Sequence, residues 1–241
     1  MSKSKYDKMT IGIVGGMGSY ATLHFFHQLL KATPAEKEWD RPRIIIDNRC
    51  TMPSRVRAII YEEERPLLVK LLAESIKNLL DAGATHIVLA CNTSHVFLEE
   101  VYKIVPEARS RVVNIISAVA KAMQAANIKS AGFIATEGTI MSGIFESTCA
   151  KYDIALTSPN ENDFTELRDL IEAVKQDKIT DDTCQRFVKM LEKQAKSAGS
   201  NNIILGCTEF PCIYTKALPL VEKTNLIIWD PLQEAIKILT K

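Results

Sequence analysis

The sequence predicts an α/β fold made of two similar three-layer halves with mainly parallel central sheets, and three observations support this. Short apolar runs that end in small or polar residues, such as His86 to Ala90, are typical of strands buried on both faces. Stretches with helical apolar spacing separate these runs. The pattern then starts again, because Ile11 and Ala131 lie in matching units with an offset of 120, and Cys91 and Cys207 have an offset of 116. A near-constant offset predicts two similar halves.

The first half opens with a strand, a glycine loop and a helix. An apolar run ends at Val14, the loop Gly15-Gly-Met-Gly18 lets the backbone turn tightly, and Ser19 is placed to cap a helix. A longer helical pattern ends at Gly83, as favoured after a helix C-terminus. We expect strands at Thr10–Val14, Arg43–Asp47, His86–Ala90 and Val112–Ile116, and helices at Ser19–Ala32, Glu64–Ala82, Asn92–Tyr102 and Ser117–Ala126.

The second half repeats this order. A strand pattern at Lys129–Ala135 leads into a loop of small residues at Thr136–Thr139, much as the first strand leads into the glycine loop. The last strand and helix are expected to pack back on the first half, so we predict one α/β domain at 9–116 plus 220–241 and a second at 117–219. The remaining expected elements are strands at Ile154–Leu156, Asn202–Leu205 and Leu226–Trp229, and helices at Phe164–Val174, Thr183–Ala198 and Pro231–Leu239.

Composition argues against two classes of partner. Lys and Arg number 30 and Asp and Glu 29, so no overall field would attract nucleic acid or an anionic membrane. No apolar run approaches a membrane span, and Met1 to Lys8 lacks the apolar core of a signal peptide. With 46% hydrophobic residues in 241, the chain can bury a full core, so its six cysteines are expected to be free thiols in the cytoplasm. The expected partner is a small molecule or another subunit.

Two cysteines are the leading candidates for chemistry. Cys91 and Cys207 each follow a buried-strand pattern, and in an open α/β sheet the residues after such a strand face the ligand crevice. Both are also expected at strand-to-helix junctions, where a helix N-terminus lowers the pKa of a thiol. The pair therefore predicts a site in which one thiol from each half faces the same small molecule.

Three other kinds of site remain open from the residues alone. Gly16-x-Gly18-x-x-Ala21 fits a dinucleotide fingerprint, but the acid that the fingerprint requires comes late, at Asp47. A zinc site is conceivable, although its candidate ligands lack Cys-x-x-Cys spacing, and so is Cys–His acyl transfer. The candidate zinc ligands are Cys91, His95, Cys207 and Cys212, and the candidate histidines for acyl transfer are His24, His27, His86 and His95.

Five motifs carry a resemblance to a known family. They are Gly12-Ile-Val-Gly-Gly-Met-Gly18, Met52-Pro-Ser-Arg55, Ala90-Cys-Asn-Thr93, Thr136-x-x-Thr139 and Gly206-Cys-Thr-Glu209. Together they resemble the aspartate/glutamate racemase family, the cofactor-independent amino-acid racemases, over essentially the whole chain. The resemblance implies two α/β domains related by a pseudo-twofold axis, an active site in the cleft between them and one catalytic cysteine from each. It also implies a homodimer that needs no cofactor and no metal.

The resemblance also implies roles for single residues. Racemisation removes a proton from one face of Cα and delivers one to the other, so Cys91 and Cys207 would work as a thiolate and a thiol. Arg55 would hold the side-chain carboxylate, with Lys175 as a second candidate, and Glu209 would meet the α-ammonium or polarise a neighbour. The family usually has Asp where this chain has Ser54, which removes an acid that would orient the arginine. The other substrate-binding candidates, several of them donors to developing charge, are Met17, Asn92, Thr93, Thr136, Thr139 and Thr208.

The leading hypothesis is therefore racemisation of aspartate, with glutamate as a second substrate. A maleate isomerase or a cysteine-dependent decarboxylase is the nearest alternative, because a fold alone does not fix the chemistry. A dinucleotide-dependent oxidoreductase and a non-catalytic amino-acid binding protein are the alternatives from other classes. Exchange of the α-proton of aspartate for solvent deuterium, by colourless protein without cofactor, would separate the leading hypothesis from both.

Overall fold

The first sheet contains three parallel strands, as the sequence predicts. The computed structural model describes residues 6–241. Strands β1 (Thr10–Gly15), β2 (Arg43–Asn48) and β3 (His86–Leu89) are ordered β2-β1-β3, and β1 pairs in parallel with both neighbours. The residues of β1 from Ile11 onward are all buried, which explains why this strand is apolar throughout instead of alternating.

Helices connect these strands and follow the third. The helices of this part are α1 (Ser19–Ala32), α2 (Arg55–Ile60), α3 (Arg65–Asp81) and α4 (Leu98–Ile104), with short 3-10 helices at Glu38–Asp40, Thr93–Phe97 and Pro106–Ser110. Helix α2 was not predicted from the sequence. Ser54 is its N-cap and accepts a hydrogen bond from the Arg57 amide at 3.3 Å.

The second sheet contains four parallel strands. Strands β4 (Ser130–Ile134), β5 (Ala155–Thr157), β6 (Asn202–Leu205) and β7 (Ile227–Trp229) are ordered β5-β4-β6-β7. The helices around it are α5 (Ile115–Ala125), α6 (Glu137–Met141), α7 (Ile144–Ala150), α8 (Phe164–Lys175), α9 (Asp181–Ala198), α10 (Phe210–Val221) and α11 (Pro231–Leu239), with a 3-10 helix at Glu161–Asp163.

Three apolar clusters arrange these elements in layers. One cluster joins the facing sides of both sheets, and helices α1, α5, α7 and α11 contribute to it. The second packs α3 on the outer side of the first sheet, and the third packs α8, α9 and α10 on the outer side of the second. In β3, Val88 belongs to the shared cluster while Ile87 and Leu89 belong to the outer one, as expected for alternating side chains. Each sheet is therefore covered on both faces.

Two of the predicted strands differ from the structure. The predicted strand Val112–Ile116 is wrong, because Asn114 caps α5 by accepting from the Ser117 amide at 2.9 Å. Only a single parallel bridge between Ile87 and Val112 remains of the predicted strand. The last strand, β7, was expected to pack back on the first half, and this is wrong, because β7 pairs with β6 in the second sheet. The last helix, α11, packs on α5 and on α1 of the first half. The domain boundaries proposed from the sequence stay a prediction.

Within residues 6–241, no helix is both long and apolar enough to cross a membrane. The six cysteines, all of which fall in this range, are free thiols.

Candidate functional site

Cys91 and Cys207 occupy equivalent places at the carboxyl ends of β3 and β6. A single buried small residue, Ala90 or Gly206, separates each strand from its cysteine. The Ala90 amide donates to the Val14 carbonyl at 2.9 Å, and the Gly206 amide donates to the Ile134 carbonyl at 2.7 Å. Both cysteines are only 6% exposed. The two strand ends thus bring two buried thiols to the same side of their sheets.

The residue before Cys207 has to be small for a steric reason. A Cβ atom at Gly206 would lie 2.9 Å from the Ala135 Cβ and 2.9 Å from the Ile134 carbonyl oxygen. These separations are shorter than van der Waals contact, so a side chain there would push β6 away from β4. The cysteine after it would move with the strand.

Both thiols line one cavity of about 70 Å³ between the two halves. An adjoining outer cleft of about 220 Å³ shares Ser54, Val56, Thr136, Ile171 and Lys175 with it. Ten of the eleven residues predicted from the sequence line the inner cavity, and Ser54, Val56 and Ile171, which sequence analysis missed as site residues, complete it. The ten are Met17, Arg55, Cys91, Asn92, Thr93, Thr136, Lys175, Cys207, Thr208 and Glu209.

Cys207 is paired with a carboxylate. Its thiol donates to Glu209 Oε2 at 2.9 Å. Burial, and then the charge of Glu209, raise the pKa of Cys207 well above its ordinary value. The sequence analysis expected the helix N-terminus to lower this pKa, and that expectation is wrong. The effect of a helix N-terminus is outweighed because the thiol is fully buried beside a negative charge.

Glu209 lies close to the glycine loop. A Cβ atom at Gly18 would come within 2.5 Å of Glu209 Oε1, so glycine is needed for this approach. That oxygen is buried and has no hydrogen-bond partner in the described protein. At Gly16, whose φ is +81°, a Cβ atom would meet the backbone of Arg49 at 2.4 Å. A dinucleotide pyrophosphate at this loop would therefore face protein backbone and a carboxylate, which argues against a dinucleotide-binding site here.

Cys91 has a different companion. His95 Nδ1 lies 3.0 Å from the Cys91 carbonyl oxygen, and His95 Nε2 accepts from the Ile115 amide at 3.4 Å. Burial lowers the pKa of His95 to about 4, although its hydrogen bonds to the backbone of Cys91 and Asn92 oppose this shift. Both ring nitrogens are thus engaged with the backbone, and the ring is not available as the base of a Cys–His pair.

A cluster of three hydroxyls joins the two halves beside Cys91. Thr93 Oγ1 lies 2.8 Å from Thr139 Oγ1, and Thr139 Oγ1 lies 2.8 Å from Thr136 Oγ1. Thr136 is the N-cap of α6. Thr139, a predicted substrate-binding residue, lies behind the other two and does not line the cavity. From the Cys207 end, Thr208 Oγ1 donates to the Ala90 carbonyl at 3.2 Å and links the two strand ends.

Several buried polar atoms at the cavity have no partner within the described protein. They include Arg55 Nε and both amide atoms of Asn92, a residue that is 2% exposed. The Arg55 guanidinium is held in place because its Nη2 donates to the Met17 carbonyl at 2.6 Å and its Nη1 to the Pro53 carbonyl at 3.0 Å. Buried polar groups in folded proteins are normally paired, so these atoms are expected to pair with a bound molecule.

Lys175 approaches the cavity from α8. Its Nζ bonds Glu172 Oε1 at 2.8 Å. Burial would lower its pKa, but the hydrogen bond to Glu172 and the charges of Glu209 and Glu172 outweigh it and raise the pKa. The ammonium is therefore charged, and it and Arg55 give the cavity two cations, one from each half.

Helices α2 and α6 meet across the halves beside the cavity. A Cβ atom at Gly138 would lie 3.0 Å from the Val56 Cα and 3.3 Å from its Cβ, so a larger residue there would require the helices to shift apart by a few tenths of an ångström. No group of three or more His, Cys, Asp or Glu side chains in residues 6–241 is arranged to hold a metal ion.

The sequence signals that could have found Val56 and Ile171 are weak, because both look like ordinary apolar helix positions.

Comparisons with known proteins agree on one family. A model of the family described as Asp/Glu/Hydantoin racemase matches residues 14–239. The chain is 30% identical over 145 residues to a glutamate racemase of Bacillus cereus, a match that covers 58% of this chain and 50% of that protein. It is 25% identical over 151 residues to a glutamate racemase of Glaesserella parasuis, covering 60% of this chain and 52% of that protein. The match thus spans about half the length of these curated racemases.

Solved structures match over nearly the full length. An aspartate racemase of Picrophilus torridus is 26% identical with a TM-score of 0.79, and the match covers 96% of this chain and 94% of that one. An aspartate racemase homologue of Pyrococcus horikoshii is 23% identical with a TM-score of 0.73, covering 95% and 96%. A glutamate racemase of Francisella tularensis with bound D-glutamate is 22% identical with a TM-score of 0.67, covering 97% and 80%. The last two similarities concern the fold.

Proposed function

The chain belongs to the Asp/Glu/Hydantoin racemase family, and from this premise we propose that it interconverts the L and D forms of aspartate, with glutamate as a second substrate, without a cofactor. One observation carries the proposal. Two buried thiols, supplied by the equivalent ends of β3 and β6, line the same small cavity. This arrangement suits a reaction that needs an acid and a base on opposite sides of one carbon atom.

The proposed reaction moves one proton off Cα and another onto it. A thiolate on one side removes the α-proton, which breaks the C–H bond and leaves the electron pair on the substrate. The thiol on the other side then gives its proton to the opposite face of Cα, so the configuration inverts. After the turnover the two sulfur atoms have exchanged protonation states, and the reverse reaction runs by the same steps. No oxidant or reductant is needed.

The electron pair needs stabilisation because the α-proton of an amino acid is weakly acidic. The charge develops on the α-carboxylate, and donors aimed at that position stabilise the transition state more than the substrate. Asn92 supports this role with a buried amide that has no partner in the described protein. Thr93, Thr136 and Thr208 supply hydroxyls at the same cavity.

Arg55 and Lys175 are proposed to bind the second carboxylate of an acidic amino acid. Arg55 is preorganised, since two carbonyls hold its terminal nitrogens. Lys175 carries a positive charge on the opposite half of the cavity. A pair of cations suits a substrate with two carboxylates better than a neutral amino acid. Aspartate is the first choice because the aspartate racemase of Picrophilus torridus matches this chain at 26% identity over nearly all of both chains.

Chiral chromatography of the reaction in D₂O tests the proposal. Protein treated with a chelator, with no pyridoxal phosphate added, is incubated separately with L-aspartate, D-aspartate, L-glutamate, D-glutamate, L-alanine and maleate. We expect both aspartate enantiomers to approach an equal mixture with deuterium at Cα, glutamate to react more slowly, and alanine and maleate to stay unchanged. The double variant Cys91→Ser, Cys207→Ser is the matched control. Activity that requires a metal ion or pyridoxal phosphate would refute the two-thiol mechanism.

We further propose that the protein works as a homodimer in the cytoplasm. The proposal for the compartment follows from the six free thiols, which a reducing environment maintains. Light scattering at micromolar concentration tests the oligomeric state, since a dimer has twice the chain mass of 26.9 kDa.

A further inference from the structure

We infer that His95 is a positioning residue for Cys91. Its imidazole binds the Cys91 carbonyl and so holds the turn that carries the thiol. The inference deepens the proposed racemase function and rests on it for its kinetic part. His95 is 4% exposed and does not line the cavity, so it would act through Cys91 and not on a substrate.

The hydrogen bonds of His95 define its tautomer. A carbonyl oxygen only accepts, so Nδ1, 3.0 Å from the Cys91 oxygen, must carry the ring hydrogen. Nε2 then has a free lone pair and accepts from the Ile115 amide at 3.4 Å. Ile115 is the first residue of α5, where a backbone N–H has no partner within the helix. One ring therefore ties the cysteine turn to the start of a helix in the shared apolar layer.

The backbone around Cys91 is held on both sides. Ala90, the residue before it, donates to the Val14 carbonyl and accepts from Thr208. Cys91 itself is held by His95, and the His95 amide donates to the Asn92 carbonyl at 3.0 Å, which closes the turn. Without the imidazole, the buried Cys91 carbonyl would lose its partner and the turn would be free to rotate. Rotation would move both the sulfur of Cys91 and the Asn92 amide.

A neutral ring is required for both contacts. Burial lowers the pKa of His95 to about 4, so the ring is uncharged near neutral pH and Nε2 keeps its lone pair. Cys207 does not depend on His95, because its carbonyl accepts from the Phe210 amide at 3.2 Å and its thiol donates to Glu209. Loss of His95 should therefore disturb one thiol and leave the other in place. A defect in overall folding would disturb both thiols.

Deuterium exchange detects this asymmetry. Cys207 alone can remove the proton of one enantiomer and return a deuteron to the same face, so that enantiomer exchanges without inverting. We expect His95→Leu to lower racemisation about 100-fold, as for a misplacement of about 1 Å. The variant should also raise the ratio of exchange to inversion for one enantiomer only, the one that Cys91→Ser still exchanges.

Two further variants separate positioning from general stability. His95→Asn keeps a short amide donor near the Nδ1 position. It should therefore racemise aspartate at least tenfold faster than His95→Leu. His86→Leu removes a histidine at the amino end of β3, away from the cavity, and its racemisation rate should stay within about twofold of the wild type. Equal losses in the two leucine variants, or exchange that follows the pattern of Cys207→Ser, would overturn the inference.

Alkylation supplies a readout that does not depend on racemase activity. Iodoacetamide labelling followed by peptide mass spectrometry gives separate rates for Cys91 and Cys207 in the same molecule. In His95→Asn and His95→Leu we expect labelling of Cys91 to accelerate relative to Cys207, at least fivefold in the leucine variant, with no change in His86→Leu. If the wild-type protein racemises nothing, the proposed function fails while this measurement still decides on His95. An unchanged ratio in both His95 variants would refute the positioning role.

Discussion

The two strand ends share a plan but differ in what stands two residues after the cysteine. After Cys91 this position is Thr93, whose hydroxyl contacts hydroxyls of the other half. After Cys207 it is Glu209, whose carboxylate accepts from the thiol at 2.9 Å. The carbonyl of Cys91 is held by a neutral histidine side chain, whereas the carbonyl of Cys207 accepts from the Phe210 amide and its thiol donates to a carboxylate.

This difference teaches that similar geometry does not give similar electrostatics. Burial and the charge of Glu209 together raise the pKa of Cys207 well above its ordinary value, whereas the residue two positions after Cys91 carries an uncharged hydroxyl. The two thiols are therefore expected to serve opposite faces of the substrate without being interchangeable.

Replacing either thiol gives the largest expected effect. Cys91→Ser and Cys207→Ser should each lose at least about 1,000-fold in racemisation, because a hydroxyl is too weakly acidic to act as a base near neutral pH. Each variant keeps one thiol and should exchange the α-proton of one aspartate enantiomer, a different one in each variant. Nuclear magnetic resonance of L-aspartate and D-aspartate in D₂O measures this. Exchange of the same enantiomer by both variants would contradict the opposite-face arrangement.

The two cations provide the next comparison. Arg55→Lys should lower kcat/KM for aspartate about 100-fold, because an ammonium cannot keep both carbonyl contacts and also present a donor to a carboxylate. Lys175→Arg keeps a positive charge on a longer side chain. It should therefore lower kcat/KM for aspartate less than Arg55→Lys does. Initial rates by chiral chromatography decide the order. Near-normal efficiency of Arg55→Lys would show that the second carboxylate is bound elsewhere.

The stability of the protein in acid tests the role of His95. Because the pKa of His95 is lowered to about 4 in the folded protein, its neutral ring stabilises the fold above the unfolded pKa near 6.5. This contribution to the free energy of unfolding is lost as pH falls toward 4. Between pH 7 and pH 5 this loss is roughly 2 kcal/mol of unfolding free energy.

Urea unfolding of wild type and His95→Asn at both pH values isolates this contribution. Asp230, whose pKa burial raises to about 6, acts in the opposite direction and cancels in the difference between the two proteins. We expect His95→Asn to lose less stability on acidification than the wild type does. If both proteins lost the same unfolding free energy on acidification, His95 would be protonated without cost in the folded state.

The smallest expected effect tests the carboxylate at the second end. Glu209→Gln removes a negative charge that raises the pKa of Cys207, so that pKa should fall, although burial still keeps it high. Racemisation should fall about tenfold, as for loss of one charge-assisted hydrogen bond. The pH dependence of alkylation, followed separately for each cysteine, measures the change. Cys91 in the same molecule is the internal control and should not shift.

Much of the fold could be predicted from the sequence because parallel strands are apolar throughout. The runs before Cys91 and Cys207 were recognisable without any tertiary information, and both lead to the cavity. Helix α2 was missed although Ser54, a typical N-cap, was visible, because Pro53 and the polar residues before it favoured a loop. The strand predicted at Val112–Ile116 failed for the opposite reason, since its β-branched residues outweighed the capping signal of Asn114.

The electrostatics of the site could not be predicted in the same way. Position in sequence places Cys207 at a helix N-terminus, but only the folded chain brings the Glu209 side chain back onto the thiol. The role of His95 is equally hidden, because its partners are a carbonyl four residues earlier and an amide twenty residues later. Burial and side-chain direction decide pKa values, and neither follows from the spacing of residues along the chain.

The contact between Gly138 and Val56 limits how this protein could be recombined with its relatives. The α6 helix of one half packs closely on the backbone of α2 in the other, and a Cβ atom at Gly138 would lie 3.0 Å from the Val56 Cα. A chimera that takes residues 117–219 from another racemase is therefore expected to keep this close packing only with glycine at the equivalent position. A larger residue there would shift α2 from α6 by a few tenths of an ångström and would change the width of the cavity that the two cysteines share.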